Sequence, residues 1–309
     1  MMESAGLDGV VPVLATPFST GGDLDRASLR RLVEFEVAAG ASGLAVFGMA
    51  SETFVLTDEE RIAILQDVVD VAPLPVVAGI SATGLAPARV QLTRYAELGA
   101  RVMMVLPPFL VKPAPGQLVE FFGALGTHAV GLGVEVMVQD APGASGVTMT
   151  PQLIAELAAL PGVTSVKVEA PPTVPKMCEL TGALAGTRMR LLGGLNAQFL
   201  IDELDCGAVA TMPGCELTDL LVPIVQAHRA GETTAARRGF ERVLPLIVWG
   251  LQPGYAWAVH KEVLVHRGII ADATVRAPAR RATSRMRELL HQVLTALELR
   301  GLPVGAGAT

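Results

Sequence analysis

One pattern repeats along the chain from about residue 10 to residue 230: a short apolar run is followed by a longer segment with helical spacing. The apolar runs recur about every 25 to 30 residues, an interval typical of βα units in a parallel sheet. They are rich in Val, Leu, Ala and Met, as strands covered on both faces require. We predict eight strands, at 10–18, 42–48, 74–80, 101–107, 134–141, 163–169, 189–193 and 208–212. Eight such strands in series predict an α/β fold of the (β/α)8 TIM barrel type.

Beyond the eighth strand the pattern changes to helices alone. Helical spacing continues at 217–230, 233–250, 254–266 and 278–299, and Pro278 suits the first turn of the last helix. We therefore predict a barrel over residues 8–228, a C-terminal helical extension over 229–300 and a flexible tail of small residues over 301–309.

The balance of charge favours small molecules as partners. The formal net charge is −6 and the pI about 5.4, so the chain lacks the basic surface that attracts nucleic acids or anionic membranes. No apolar run approaches the roughly 18 residues of a membrane span, and the first residues show no signal-peptide pattern. We expect a cytoplasmic protein that binds neither nucleic acid nor membrane.

The three cysteines, Cys178, Cys206 and Cys215, are odd in number, far apart in sequence and in no CxxC spacing. This pattern argues against disulfides and structural zinc, and it predicts buried reduced thiols. The five histidines follow no spacing that places two of them with a carboxylate at one strand end, so we expect no metal. Neither GxGxxG after a strand nor GxxxxGK[ST] occurs, so we expect no cofactor.

Active sites of (β/α)8 barrels lie at the carboxyl ends of the strands, which makes polar residues there the candidates. Lys167 is the only lysine within a predicted strand, and it stands between Val166 and Val168. A lysine that points into the barrel mouth is desolvated, which favours the neutral amine that attacks a ketone to form a Schiff base. The alternative is a lysine that reaches outward to solvent at the strand end.

Three more candidates flank Lys167. Glu169 stands two positions later, so both side chains project from the same face of the strand, where a carboxylate can move a proton at the carbon next to an imine. Glu169 can instead be a salt-bridge partner that keeps Lys167 charged. Gln139 and Asp140 end the fifth strand and are candidates for binding substrate hydroxyls, or else they cap the loop that follows.

The remaining candidates lie at other strand ends. The turn GMASE after the second strand contains Ser51 and Glu52, and its side chains and amides can hold a carboxylate. The alternative is that these two residues only organise the turn before the next helix. Gly193 and Thr211 end the seventh and eighth strands and complete the predicted substrate-binding set.

Taken together, these segments resemble the dihydrodipicolinate synthase and N-acetylneuraminate lyase superfamily, the class I aldolases and dehydratases that work through a Schiff base. The resemblance covers about the whole chain and is carried by VLATPF (13–18), GMASE (48–52), PVVAG (75–79), PPFLVKP (107–113), DAPGASG (140–146) and SVKVEA (165–170). It implies a TIM barrel and assigns the imine to Lys167. It also implies a homodimer or homotetramer that binds a small 2-oxo acid.

The chain departs from the pattern of this superfamily at several functional positions. Gln139 stands where many members have a tyrosine that shuttles protons, and Leu110 stands where a neighbouring subunit lends a second tyrosine. Met49 and Ala50 replace the paired threonines that grip the substrate carboxylate, and Ala144 replaces an arginine. The resemblance therefore argues against lysine biosynthesis and against ordinary neuraminate lyase chemistry.

One branch of the superfamily shares the unusual residues. MVQDAP (137–142) and KVEAP (167–171) resemble the L-2-keto-3-deoxyarabonate dehydratase branch, which dispenses with the tyrosine. The resemblance implies a lyase in which Lys167 forms the imine and Glu169 does the acid–base work, with water lost from a 2-keto-3-deoxy sugar acid or a similar 2-oxo acid. Two alternatives stay open: a retro-aldol lyase that releases pyruvate, and a non-catalytic protein that binds a 2-oxo acid.

Overall fold

A computed structural model describes residues 5–299, so the predicted tail at 301–309 and the last residue of the predicted extension lie outside the described residues. Eight strands form one parallel sheet in the order β1-β8-β7-β6-β5-β4-β3-β2. Their bounds are β1 Gly9–Val10, β2 Leu44–Val46, β3 Val76–Ile80, β4 Val102–Val105, β5 Glu135–Asp140, β6 Val163–Val168, β7 Arg190–Gly193 and β8 Ala210–Thr211.

The segment after β1 closes the sheet into a barrel. Val13 bridges Ala45 on one side and Gly214 on the other, both in parallel, and Leu14 N–H donates to the Ala45 carbonyl at 2.8 Å. The first strand itself is shorter than predicted because Pro12 has no N–H to give to a ladder. The closed ring of eight parallel strands confirms the predicted (β/α)8 TIM barrel.

Helices surround the barrel and continue beyond it. They are α1 Arg26–Ala38, α2 Asp58–Val71, α3 Leu85–Glu97, α4 Pro115–Gly131, α5 Pro142–Ser145, α6 Pro151–Ala158, α7 Thr173–Ala183, α8 Leu200–Asp205, α9 Thr218–Arg229, α10 Thr233–Trp249, α11 Ala256–His266 and α12 Ser284–Ala296. Short 3-10 turns occur at Met49–Ser51, Thr53–Val55 and Leu195–Ala197. Helix α9 ends at Arg229, and α10 to α12, which we call the extension, follow it. None of the helices within residues 5–299 is long and apolar enough to cross a membrane.

The last helix begins later than predicted. Pro278 lies in an irregular segment, and α12 starts at Ser284, where the Thr283 hydroxyl accepts a hydrogen bond from Met286 N–H at 3.2 Å. A threonine cap satisfies one of the free N–H groups of the first turn, which proline cannot do. The segment before it is held elsewhere, because Arg280 N–H donates to the Gly254 carbonyl at 3.1 Å.

The prediction of reduced cysteines is wrong for two of the three. Cys178 on α7 and Cys206 after α8 form a disulfide, with their Cα atoms 4.9 Å apart. The distance in sequence misled the prediction, because consecutive outer helices of a barrel are neighbours in space. Cys215 is a free buried thiol, as predicted.

The alternation of side chains between the two faces of each strand determines which functional residues point into the barrel. Met137, Met104 and Leu192 belong to an apolar cluster inside the barrel, whereas Val166 and Val168 belong to the cluster between sheet and helices. Since successive side chains point to opposite faces of a strand, Lys167 points into the barrel.

Candidate active site

The centre of the site is an ion pair at the carboxyl end of β6. Lys167 Nζ lies 3.1 Å from Glu169 Oε1, and their side chains are only 4% and 5% exposed. The strand ladder runs one residue past β6, because Glu169 N–H donates to the Asp140 carbonyl at 2.9 Å. That bond keeps the two-residue spacing that places both side chains on the interior face. The expected proximity of Lys167 and Glu169 is therefore present.

Gln139 holds the other oxygen of the same carboxylate. It pairs with Lys167 across the β5–β6 ladder, and its Nε2 donates to Glu169 Oε2 at 2.8 Å. The Leu195 N–H approaches Glu169 Oε1 at 3.5 Å. Glu169 thus has a cation on one oxygen and an amide on the other, which fixes the orientation of the carboxylate.

Two glycines at the end of β7 make room for two carboxyl groups. A Cβ at Gly194 would lie 2.3 Å from Glu169 Cγ, and a Cβ at Gly193 would lie 2.0 Å from Glu203 Oε2. Both distances are far inside van der Waals contact, so a side chain at either position would displace the carboxyl group that it meets. Gly193, predicted as a substrate-binding residue, leaves space for the Glu203 side chain.

Glu203 on α8 is a functional candidate that sequence reasoning missed. Burial, together with the negative charges of Glu169 and Asp202, raises its pKa to about 8, and Lys167 opposes the shift. Neither of its carboxyl oxygens has a hydrogen-bond partner among residues 5–299. Glu203 is therefore a neutral carboxylic acid at neutral pH, beside the Lys167–Glu169 pair.

A cavity of about 220 Å³ opens on Lys167 and Glu169. Barrel residues form one side of it, among them Val13, Met49, Ala50 and Met212. The other side comes from the extension, in which α11 contributes Trp257 and His260. Trp257 Nε1 donates to the Met49 carbonyl at 2.6 Å, which fastens this wall to the turn after β2.

His260 is a second residue that sequence reasoning missed. Its Nδ1 lies 2.7 Å from Glu216 Oε1, and the two side chains are 5% and 0% exposed. No local motif marks His260, because helix α11 reaches the cavity only through tertiary packing. It is nevertheless the only histidine that lines this cavity within the described chain.

Asp140 lies apart from these residues. It adjoins Gln139, so its side chain points to the helix layer, where Asp140 Oδ2 pairs with Lys176 Nζ on α7 at 2.5 Å. The expected contact of Asp140 with a substrate hydroxyl does not occur in this geometry, since the carboxylate is buried on the opposite face of β5.

Glu52 also has a structural partner. It is buried in an ion pair with Lys261 of α11, and it accepts a hydrogen bond from Arg276 N–H at 3.2 Å. Burial raises the pKa of Glu52, with Lys261 opposing, and lowers the pKa of Lys261 to about 8, with Glu52 opposing. The pair fastens the extension to the barrel, and Glu52 does not line the cavity.

Ser51 and Thr211 lie close to the cavity without lining it. Both are buried, and neither hydroxyl oxygen has a hydrogen-bond partner within the described chain. Their neighbours in sequence, Ala50 and Met212, do line the cavity. The structure therefore brings Lys167, Glu169 and Gln139 together, and it places Ser51 and Thr211 one residue away from the cavity wall.

The family model for the dihydrodipicolinate synthetase family matches residues 6–297. The chain belongs to this family. As in the rest of the family, it is a lyase of the Schiff-base class, with Lys167 on the sixth strand as the lysine that the resemblance assigns to the imine.

Known relatives agree with the family assignment. An L-2-keto-3-deoxyarabonate dehydratase from Azospirillum brasilense is 30% identical over 277 residues, which cover 87% of this chain and 88% of that protein. A 4-hydroxy-tetrahydrodipicolinate synthase from Roseobacter denitrificans is 29% identical over 271 residues, covering 85% and 84%. The crystal structure of dihydrodipicolinate synthase from Rhodopseudomonas palustris superposes with a TM-score of 0.89 at 28% identity, covering 96% of this chain and 99% of that one.

The structure shows the surroundings of two residues that depart from the family pattern. Gln139, in the place of the shuttle tyrosine, cannot carry a proton as a phenol does, but it holds Glu169. Leu110, in the place of the lent tyrosine, is 74% exposed in a loop and does not line the cavity. Among residues 5–299, the titratable side chains that line the cavity with Lys167 are Glu169 and His260.

Proposed function

We propose that this protein is a hydro-lyase that dehydrates a 2-keto-3-deoxy sugar acid, or a similar 2-oxo acid, through an imine on Lys167. The observation that carries the proposal is the buried Lys167–Glu169 pair, 3.1 Å apart, with Gln139 on the second carboxylate oxygen. The dehydratase from Azospirillum brasilense supports the same choice.

The first step is attack of the Lys167 amine on the C2 ketone. The ammonium must lose a proton before it becomes a nucleophile, and Glu169 Oε1 is within hydrogen-bonding distance to accept it. Loss of water from C2 then gives the protonated imine, which withdraws electrons from C3. A site closed to bulk solvent strengthens this polarisation.

The second step is removal of a proton from C3. Glu169 projects from the same face of the strand as Lys167, so its carboxylate lies beside the carbon adjacent to the imine. Gln139 does not transfer a proton itself. Its amide instead fixes the Glu169 oxygen that it contacts. Expulsion of the C4 hydroxyl then forms a C3–C4 double bond, and water releases the unsaturated 2-oxo acid from Lys167.

The size and lining of the cavity support a small substrate. Its volume of about 220 Å³ is below the roughly 300–1,000 Å³ of pockets for drug-sized ligands. Met49, Ala50 and Met212 present apolar surface to it. Apolar walls leave substrate hydroxyls unpaired, so we infer a substrate with fewer hydroxyls than a neuraminate has.

A borohydride trap with product analysis tests the proposal. Incubation with pyruvate or a 2-keto-3-deoxy acid followed by borohydride should add the mass of the reduced adduct at Lys167, and a Lys167→Ala variant should gain none. A 2-keto-3-deoxy pentonate should give an unsaturated or rearranged 2-oxo acid without pyruvate. Appearance of pyruvate with an aldehyde would establish a retro-aldol lyase instead, and the absence of any adduct would leave a binding protein.

The assembly is a separate part of the proposal. Leu110 and Val111 form an exposed apolar pair, 74% and 77% exposed, in the loop after β4. Such residues are typical of contact surfaces, which supports the homodimer or homotetramer. Light scattering of the purified protein gives the mass directly, and a monomer would end this part of the proposal.

A further inference from the structure

Among residues 5–299, three titratable side chains line the cavity: Lys167, Glu169 and His260. The proposed dehydration uses Lys167 for the imine and Glu169 for the C3 proton. The remaining group, His260, has no task in those steps. Its position calls for an explanation, since a histidine at a strand-end cavity is a ready proton carrier near neutral pH.

The structure holds the His260 ring in one orientation. Nδ1 is 2.7 Å from the buried Glu216 Oε1, and Nε2 makes no hydrogen bond to any residue within 5–299. Two glycines flank the ring: a Cβ at either Gly214 or Gly250 would lie 2.8 Å from His260 Cε1. Nε2 is therefore the ring nitrogen left for a ligand.

Asn196 joins the two glycine segments around the ring. Its Nδ2 donates to the Ile247 carbonyl of α10 at 3.0 Å, and its Oδ1 accepts from Gly214 N–H at 2.8 Å. Asn196 also lines the cavity. The ends of β7, β8 and α10 are thus tied together next to His260, which limits movement of the ring relative to Lys167.

Dehydration needs a proton donor at the leaving oxygen. Hydroxide is a poor leaving group, and a positioned general acid typically contributes about 10²- to 10⁴-fold. When the C3–H and C4–O bonds break together, Glu169 cannot supply this proton, because it is still taking the proton from C3. Lys167 cannot supply it either, because its nitrogen is part of the iminium.

We infer that His260, oriented by Glu216, is the general acid that donates a proton to the C4 oxygen as the C4–O bond breaks. This inference rests on the proposed function. The Glu216 carboxylate stabilises the imidazolium before transfer and fixes the tautomer that remains afterwards.

The step balances without any added reagent. Glu169 takes the C3 proton, the C3–H electrons form the C3–C4 double bond, and the C4–O electrons leave with oxygen. The oxygen takes the proton of His260 Nε2 and departs as water. A proton returns from Glu169 to His260 through water, so the net reaction is loss of one water from the substrate.

Charged and titratable groups surround the His260–Glu216 pair. Those that face Glu216 are Glu36, Cys215, Asp219 and Arg267. Burial raises the pKa of Glu36 and of the Cys215 thiol well above their ordinary values. Arg267 pairs with Asp219 at 2.6 Å, and the Glu216 side chain contacts His260.

The test compares His260→Gln with His266→Gln in the same helix. His266 contacts His291 and the Leu299 carbonyl, away from the cavity, so its variant should behave as wild type. For His260→Gln we expect a fall of about 10²- to 10⁴-fold in the dehydration rate. Borohydride trapping and exchange of the C3 protons of pyruvate should stay within about threefold, because both depend only on Lys167 and Glu169.

Two further measurements identify the acid role. A substrate with fluoride at C4 needs less help from an acid, so His260→Gln should slow its elimination by less than tenfold. Glu216→Gln should slow dehydration while borohydride trapping stays within about threefold, because the His260 ring loses the carboxylate contact that orients it.

The outcomes distinguish failure of the acid role of His260 from failure of the proposed function. If His260→Gln dehydrates at the wild-type rate, or loses trapping as well, His260 is not the acid and the proposed function stands. If the wild-type protein releases pyruvate or eliminates nothing, the proposed function fails, and the acid role fails with it.

Discussion

Gln139 Nε2 lies 2.8 Å from Glu169 Oε2, across the ladder between β5 and β6. The amide stands where many family members have a phenol, and it contacts the carboxylate that we propose as the base. In the proposed mechanism an orienting amide therefore stands where other members have a proton carrier, and the acid–base work falls to Glu169, two residues beyond Lys167.

Replacement of Gln139 by leucine should separate imine formation from proton transfer. Without the amide, Glu169 can turn both oxygens toward Lys167, and a misplacement of about 1 Å can cost on the order of 100-fold in rate. We expect Gln139→Leu to lower turnover by about that factor, whereas borohydride still traps the imine. Equal loss of trapping and turnover would show that Gln139 serves only the integrity of the site.

Replacement of Gly194 by alanine should displace the Glu169 carboxylate. The new Cβ would lie 2.3 Å from Glu169 Cγ, so either the carboxylate or the β7 loop must shift. Overpacking of this kind costs about 1–3 kcal/mol, and we expect Gly194→Ala to lose most activity as well. Gly182→Ala in α7 is the control, since a Cβ there meets nothing within 4 Å. Urea unfolding and turnover, measured for both variants, test this prediction.

Glu203 should make the folded state less stable as pH rises. Its folded pKa of about 8 lies above the ordinary 4.5, so between these values the folded chain holds a proton that the unfolded chain has lost. The free energy of unfolding therefore falls with rising pH, by about 1.4 kcal/mol per unit from this group alone. Glu203→Gln should remove that slope between pH 5.5 and 7.5.

Glu179→Gln on the exposed side of α7 serves as the control for this prediction. It should leave the pH dependence of the free energy of unfolding unchanged. An unchanged slope in Glu203→Gln as well would mean that Glu203 is ionised in the folded protein.

The Glu52–Lys261 pair should hold the extension on the barrel. Lys261→Met leaves Glu52 without a cation in a buried site, a loss that typically costs about 3–5 kcal/mol. The double variant Glu52→Gln with Lys261→Met should recover part of it. Arg285→Met breaks an exposed pair with Glu288 and should change stability by less than about 0.5 kcal/mol. Guanidinium unfolding measures all three, and equal effects of Lys261→Met and Arg285→Met would contradict the assigned role.

Patterns over a few residues of sequence were enough to predict the barrel and the centre of the site. The apolar period predicts the strands, and the two-residue period places Lys167 with Glu169. The same period separates Asp140 from Gln139, and applying it to β5 would have excluded Asp140 from the cavity.

Tertiary packing decides the rest. Glu203 and His260 reach the site from helices, and no motif marks either one. Leu195, Asn196 and Ala197 all adopt left-handed φ, at 45°, 55° and 59°, which residues with side chains rarely do and which sequence patterns do not predict. Cys178 and Cys206 meet because consecutive outer helices are adjacent, a consequence of barrel closure rather than of their spacing.

Helix α11 forms one wall of the cavity, whereas Lys167 and Glu169 come from the barrel. The two parts of the site therefore sit on segments that can vary independently. Exchange of the C-terminal helices between family members, with the Glu52 anchor retained, is a route to new substrate preference and a new leaving-group acid on an unchanged Schiff-base centre.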